Sequence, residues 1–248
     1  EKIIKDKSLR REIIVKGFTL NENSPRYFKG RYFVPYDKGG AADVDTAWLP
    51  NYYVPTQYFI DWSEQKVTKY HSGTPITSKS GKPYMRNKFY LFKEGITFSR
   101  TGYYSPTFRE NCRCVYDTAG SCIFPTKIDQ SILVPILASK IFKYFFIIFI
   151  SSTVNSQVDE VKKVPILFNI PENYRQRLTK LVSFVTQNQK ENPKYDYMTN
   201  EQIEIDKLVY ELYNLNEEDI KEVKNWYFRR YPKLAKAIEE KLKVKNND

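Results

Sequence analysis

The residues best suited to chemistry in this chain are arginines set among aromatic and turn-forming residues. They concentrate between Gly95 and Pro125, in GITFSRTGYYSPTFRENCRCVYDTAGSCIFP. Ser99-Arg100 enters a loop containing Tyr103 and Tyr104, and Arg109 follows a Ser-Pro-Thr-Phe turn. A guanidinium presents a rigid fork of donors that matches phosphate oxygens and the edge of guanine. Beside tyrosines on a Gly/Ser/Pro loop, that fork suits a polyanion better than a small metabolite.

Charge points the same way. The 248 residues carry 40 Lys plus Arg against 29 Asp plus Glu, a formal charge of +11. The excess is uneven: residues 1–130 hold 21 basic and 13 acidic side chains, whereas residues 131–248 hold 19 and 16. A basic, aromatic-rich first half is the footprint of a nucleic-acid surface, although a solubilising charge excess gives the same balance. Hydrophobic residues at 41% and aromatics at 16% exclude a disordered chain.

Other chemistries lack their signatures. There is no G-x-G-x-x-G, no G-x-x-x-x-G-K-[ST] and no G-x-S-x-G. The single histidine, His71, lies in a stretch that reads as loop. With Cys112, Cys114 and Cys122 it would make an unusual zinc set, because C-x-C lacks the two- to four-residue spacing of common sites; buried thiols are the plainer reading. Glu160-Val161-Lys162 matches half of a nuclease motif that any Lys/Glu-rich chain produces, and Asn192-Pro193-Lys194-Tyr195 reads as a linker. Catalytic residues and metal ligands are therefore not expected. Three clustered cysteines do not make a secreted disulfide framework, and no signal-type segment opens the chain, so a cytoplasmic segment of a longer protein is expected. Ile132 to Ile150 is apolar but broken by Pro135, Lys140 and Lys143, which predicts a core helix rather than a membrane span.

The elements that must hold these residues read as an α+β pattern, β-rich first and helical second. Short strands are expected at Tyr32–Tyr36, Tyr52–Trp62, Phe89–Phe92, Ile96–Arg100 and Arg113–Tyr116, with loop from His71 to Lys82. A buried helix is expected over Ser131–Ile150. Pro171 and Glu172 start another that runs to about Gln189. Thr199-x-x-Gln202 suits a capping box for a helix over Glu201–Tyr213, and Asn216 caps one through Tyr227. Pro232 admits a final helix. Residues 1–170 are assigned to a mixed or antiparallel recognition domain and 171–248 to a helical subdomain.

Six motifs follow one another in a recognisable order. They are Tyr36-Asp37-Lys38-Gly39-Gly40, Asp61-Trp62, Glu94 to Arg100 (EGITFSR), Asp117 to Pro125 (DTAGSCIFP), Ala138 to Phe142 (ASKIF) and Thr153 to Val158 (TVNSQV). The series resembles the C-terminal target-recognition region of adenine-specific DNA methyltransferases. Type IIG restriction–modification enzymes, BREX phage-defence PglX-like enzymes and TaqI-like specificity domains are the relatives it suggests. The likeness spans roughly residues 25–170 and continues weakly into the tail at Leu208–Tyr213 and Glu217–Ile220. It implies that the chain reads duplex DNA. It also implies that the S-adenosylmethionine site and the Asn-Pro-Pro-Tyr loop belong to an N-terminal methyltransferase domain of the parent, with no cofactor in this chain.

On that basis Arg86, Arg100, Arg109 and Gln157 are candidates for reading bases, with Lys38, Asn87, Ser99 and Tyr103 beside them. Arg26, Lys29, Arg31, Lys82 and Lys88 are candidates for phosphates, and Gly39 and Gly40 would let backbone approach the duplex. The alternative is a specificity subunit or protein-docking module of a type I restriction–modification complex, using the helical tail.

Overall fold

The computed structural model describes residues 33–37, 49–55, 58–72, 87–100, 106–110, 113–117, 120–151, 153 and 155–245. These form strands β1 (Phe33–Asp37) and β2 (Tyr58–Asp61), helix α1 (Glu64–Ser72), a 3₁₀ turn (Lys88–Tyr90), and strands β3 (Ile96–Ser99), β4 (Phe108–Glu110), β5 (Val115–Tyr116) and β6 (Gly120–Ile123). Helices follow: α2 (Gln130–Ala138), α3 (Lys140–Phe145) with a π-turn (Phe146–Ile150), α4 (Val158–Val161), α5 (Glu172–Glu191), α6 (Glu201–Leu212), α7 (Glu217–Arg230) and α8 (Pro232–Lys245). Among the described residues 54% are helix and 14% strand, with the strands concentrated before the long helices, so the fold is α+β.

The described residues divide into two compact units that the chain visits alternately. The first takes its residues from Glu1–Gly39, Thr56–Gly95 and Asn111–Phe124. Here β1 pairs antiparallel with β2, Phe33 opposite Asp61 and Tyr36 opposite Tyr58, and parallel with β5, Tyr36 opposite Val115. Val34, Trp62, Val67, Leu91, Phe92 and Val115 form its core, with the Trp62 and Phe92 rings edge to face at 5.3 Å. Gly95 is required by space: a Cβ there would stand 2.7 Å from both Cys122 Sγ and the Ile123 carbonyl oxygen.

The second unit takes its residues from Gly40–Pro55, Ile96–Glu110 and Pro125–Asp248, so helices on both sides of residue 170 share it. Strands β3 and β4 form an antiparallel hairpin with Ile96 opposite Glu110, Thr97 opposite Arg109 and Phe98 opposite Phe108. Side chains alternate across a strand, so Phe98 and Phe108 share one face while Thr97, Ser99, Thr107 and Arg109 share the other. The phenylalanine face anchors the hairpin to α3: Phe108 meets Phe142 edge to face at 5.1 Å, and Phe142 stacks on Phe146 at 5.7 Å. A second cluster, Trp226, Tyr227, Tyr231 and Ala235, joins α7 to α8.

Several sequence expectations change. Ser131–Ile150 is not one helix. It breaks at Ser139, whose backbone is extended and whose hydroxyl accepts from the Phe142 N–H to start α3, leaving a 61° bend. No single helix among the described residues is long and apolar enough to cross a membrane. Phe89–Phe92 is a turn, not a strand, because Asn87 and Phe92 take φ of 51° and 60°. Residues 71 and 72, expected in loop, close α1. Among the described residues of the Tyr52–Trp62 stretch, strand structure is confined to Tyr58–Asp61, apart from a single bridge at Tyr52. Thr199 does not cap α6: its hydroxyl donates to Asp196 at 3.1 Å, and Gln202 turns inward.

Candidate nucleic-acid interface

Hairpin β3–β4 ends where the chain carries Ser99-Arg100, and the segment before α4 returns to that end. The Ser156 N–H donates to the Arg100 carbonyl oxygen at 2.6 Å, and the Arg100 guanidinium donates from Nη2 to Gln157 Oε1. Gln157 is itself held, since its backbone N–H donates to Glu160 Oε2 at 2.6 Å. Arg100 is half-buried and Gln157 exposed, so a partly exposed guanidinium is tied through its own carbonyl and through its side chain. Such fixation removes rotamer freedom before any ligand arrives.

Arg109 is placed differently from the surface reader expected of it. It is 3% exposed, and its Nη1 donates to Ser99 Oγ at 3.3 Å and Thr107 Oγ1 at 3.4 Å. Its backbone is bracketed on the side away from β3 by Tyr52, whose N–H donates to the Phe108 carbonyl at 2.8 Å and whose carbonyl accepts from Glu110 at 3.0 Å. As placed, Arg109 braces the hydroxyl of Ser99 next to Arg100.

Four residues named from sequence thus converge: Ser99, Arg100, Arg109 and Gln157. Two others are described in part. Asn87 is exposed in the left-handed region, and its carbonyl accepts from Tyr90 N at 3.0 Å; the backbone of Lys88 begins the 3₁₀ turn. Arg26, Lys29, Arg31, Lys38, Gly39, Gly40, Lys82, Arg86 and Tyr103 lie outside the described residues.

The supporting structure behind the hairpin was not foreseen from sequence. Asn51 Oδ1 accepts from Phe108 N at 2.9 Å, and Asn51 N donates to the Tyr197 hydroxyl at 3.0 Å. Tyr52, at φ 74°, donates its hydroxyl to Gln202 Oε1 at 2.8 Å; Gln202 Nε2 donates to Asp206 at 3.2 Å. Asp206 also accepts from the backbone and ammonium of Lys140, at 2.9 and 2.7 Å. Burial, reinforced by nearby Tyr197 and Asp206, pushes the Tyr52 phenol well above its ordinary range, so it remains a donor. Lys143 is buried on the same helix as Lys140, and desolvation lowers its ammonium to about 8 despite the pull of Asp206. These contacts bridge about 150 residues of sequence, and the only signal in the chain was polar residues at otherwise apolar helix faces, such as Gln202 and Asp206 beside Ile205 and Val209.

No family model matches the chain, and no curated protein matches it significantly.

Proposed function

We propose that this chain is a duplex-DNA sequence-reading module of an adenine-specific DNA methyltransferase, acting in the cytoplasm in restriction–modification or phage defence. The observation that carries the reading is the convergence of Arg100 and Gln157, 57 residues apart, at the end of a hairpin whose other face is locked into the core. A reader of base edges needs side chains fixed on a rigid element and still reachable, and this pair is both. The net positive charge of the chain, +11, would supply phosphate affinity without sequence information. Base flipping and methyl transfer would belong to the methyltransferase domain of the parent chain, which would hold S-adenosylmethionine.

A second reading, a docking module within a type I restriction–modification complex, is favoured by one feature. At the end of the π-turn Ile148 and Phe149 are 49% and 64% exposed, the latter against Phe145 at 5.0 Å between ring centroids. Apolar side chains grouped on a surface commonly mark a protein contact.

The first reading is tested by fluorescence anisotropy of the full chain on labelled duplex DNA. Arg100→Ala is expected to weaken binding at least about tenfold, the scale of one good base contact. Wild-type affinity in a folded Arg100→Ala protein would remove the hairpin end from the interface.

A further inference from the structure

We infer that Gln189, Tyr197 and Gln202 are positioning residues for the end of hairpin β3–β4, acting through Asn51 and Tyr52, and that the helical tail thereby sets sequence discrimination without touching DNA; this rests on the proposed DNA-reading role. Strand β4 has only three residues, and its edge away from β3 is closed by the 51–52 segment. Asn51 Oδ1 accepts from Phe108 N at 2.9 Å, Tyr52 N donates to the Phe108 carbonyl at 2.8 Å, and the Tyr52 carbonyl accepts from Glu110 N at 3.0 Å. Phe108 stands opposite Phe98, two residues before Arg100, so these bonds act beside the hairpin end to which Ser156 and Gln157 return.

The 51–52 segment does not hold that shape by itself. Tyr52 has φ 74°, a left-handed conformation that a bulky residue keeps only where its surroundings over-determine it. Those surroundings come from the tail. Gln189 Nε2 on α5 donates to the Asn51 carbonyl at 3.1 Å, the Tyr197 hydroxyl accepts from Asn51 N at 3.0 Å, and Gln202 Oε1 on α6 accepts from the Tyr52 hydroxyl at 2.8 Å. The Tyr197 ring also meets the Tyr52 ring edge to face at 5.3 Å. All five residues are 5% exposed or less, so they are braces and not DNA contacts, and their bonds are made away from competing water. Asn51 gives its side chain and Tyr52 its backbone to the hairpin, while the Asn51 backbone and the Tyr52 side chain go to the tail. A shift of the tail is therefore passed to the hairpin end through two consecutive residues.

The test measures the full chain on the duplex that the wild type selects from a randomised library and on an unrelated duplex. The proteins are the wild type, Tyr197→Phe, Gln202→Met and, as a control, Asn216→Ala. Tyr197→Phe keeps the ring but removes the acceptor of Asn51 N, and Gln202→Met removes the acceptor of the Tyr52 hydroxyl. Asn216 caps α7 outside this set of contacts, so its loss lowers stability alone. Both brace variants are expected to lower the ratio of selected to unrelated affinity about tenfold or more, the scale of one good base contact. Affinity for the unrelated duplex and its salt slope should be kept, because phosphate contacts carry no sequence information. Asn216→Ala should keep the ratio. A ratio unchanged in both folded brace variants, or lowered equally by Asn216→Ala, would overturn the inference and leave the DNA-reading role standing. If the brace variants do not fold, hydrogen exchange of the wild type decides: the Tyr52, Phe108 and Glu110 amides should exchange together with α6, and exchange about tenfold or more faster than α6 would overturn the inference. A wild type that binds duplex without preferring any sequence, or not at all, would instead refute the DNA-reading role itself.

Discussion

Replacing Lys143 with methionine should stabilise the protein at neutral pH, and the gain should vanish as the solution becomes alkaline. Lys143 is 2% exposed, and burial lowers its ammonium from an ordinary value near 10.5 to about 8; Asp206 raises it back in part, and Lys140 lowers it further. The folded value lies below the unfolded one, so between these two pH values the unfolded chain holds a proton that the folded chain has released. Stability then rises with pH by about 1.4 kcal/mol per unit, or about 3 kcal/mol across the window. Below pH 8 the lysine is charged in both states and the folded protein bears the whole cost. Methionine is unbranched and apolar and should occupy the space of the lysine stem, while Asp206 keeps Lys140 as its partner at 2.7 Å. Lys143→Met should therefore gain about 1–3 kcal/mol at pH 7, part of the cost being offset by the lost attraction to Asp206, and should lie near or below the wild type at pH 10.5. Urea titrations between pH 7 and 10.5, followed by tryptophan fluorescence, measure this; Trp226 lies in the same unit, edge to face with Tyr144 at 5.3 Å. A variant less stable than wild type at pH 7, by an amount that does not change with pH, would refute the reasoning.

Tyr52→Phe leaves Gln202 Oε1 buried without its 2.8 Å donor and should cost about 1–3 kcal/mol in denaturant titration. Gly95→Ala places a methyl 2.7 Å from the Ile123 carbonyl and Cys122 Sγ, so backbone must move; a loss of roughly 1–3 kcal/mol is expected, read by the fluorescence of Trp62 in the same unit. Asn216→Ala removes the acceptor for Asp219 N at 2.9 Å and should cost about 1 kcal/mol, seen as a lower midpoint in thermal circular dichroism.

Local chemistry was the legible part of this chain. Asn216 reads as the cap of α7 and is one, with Asp219 adding a reciprocal bond that the structure reveals, and Pro171-Glu172 marks the start of α5. Ile96–Arg100, expected as a strand, is one over Ile96–Ser99. Features that depend on a single dihedral or a distant partner were hidden. The apolar run across Ser139 looks continuous because the break is made by one extended residue and one hydroxyl, not by a change in composition. Helix α1 has Val67 as its only described core residue, and its entry depends on Ser63 N donating to Asp61 Oδ1 at 3.0 Å, so nothing in composition marks that it runs on through residues 71 and 72. In the candidate site, residue types identified Arg100, Arg109 and Gln157, but alternation alone does not reveal that Arg109 turns to Ser99 and Thr107. Nor could spacing show that Arg100 and Gln157 meet, since they lie 57 positions apart with α2, α3, the π-turn and a sharp bend between them.

The central claim, that this chain holds duplex DNA through its basic surface, is tested most directly by the salt dependence of binding. With five phosphate contacts, from Arg26, Lys29, Arg31, Lys82 and Lys88, the logarithm of affinity should fall with the logarithm of salt concentration with a slope of about −4 to −5. A slope near zero, or no duplex binding at low salt by a folded full chain, would contradict it.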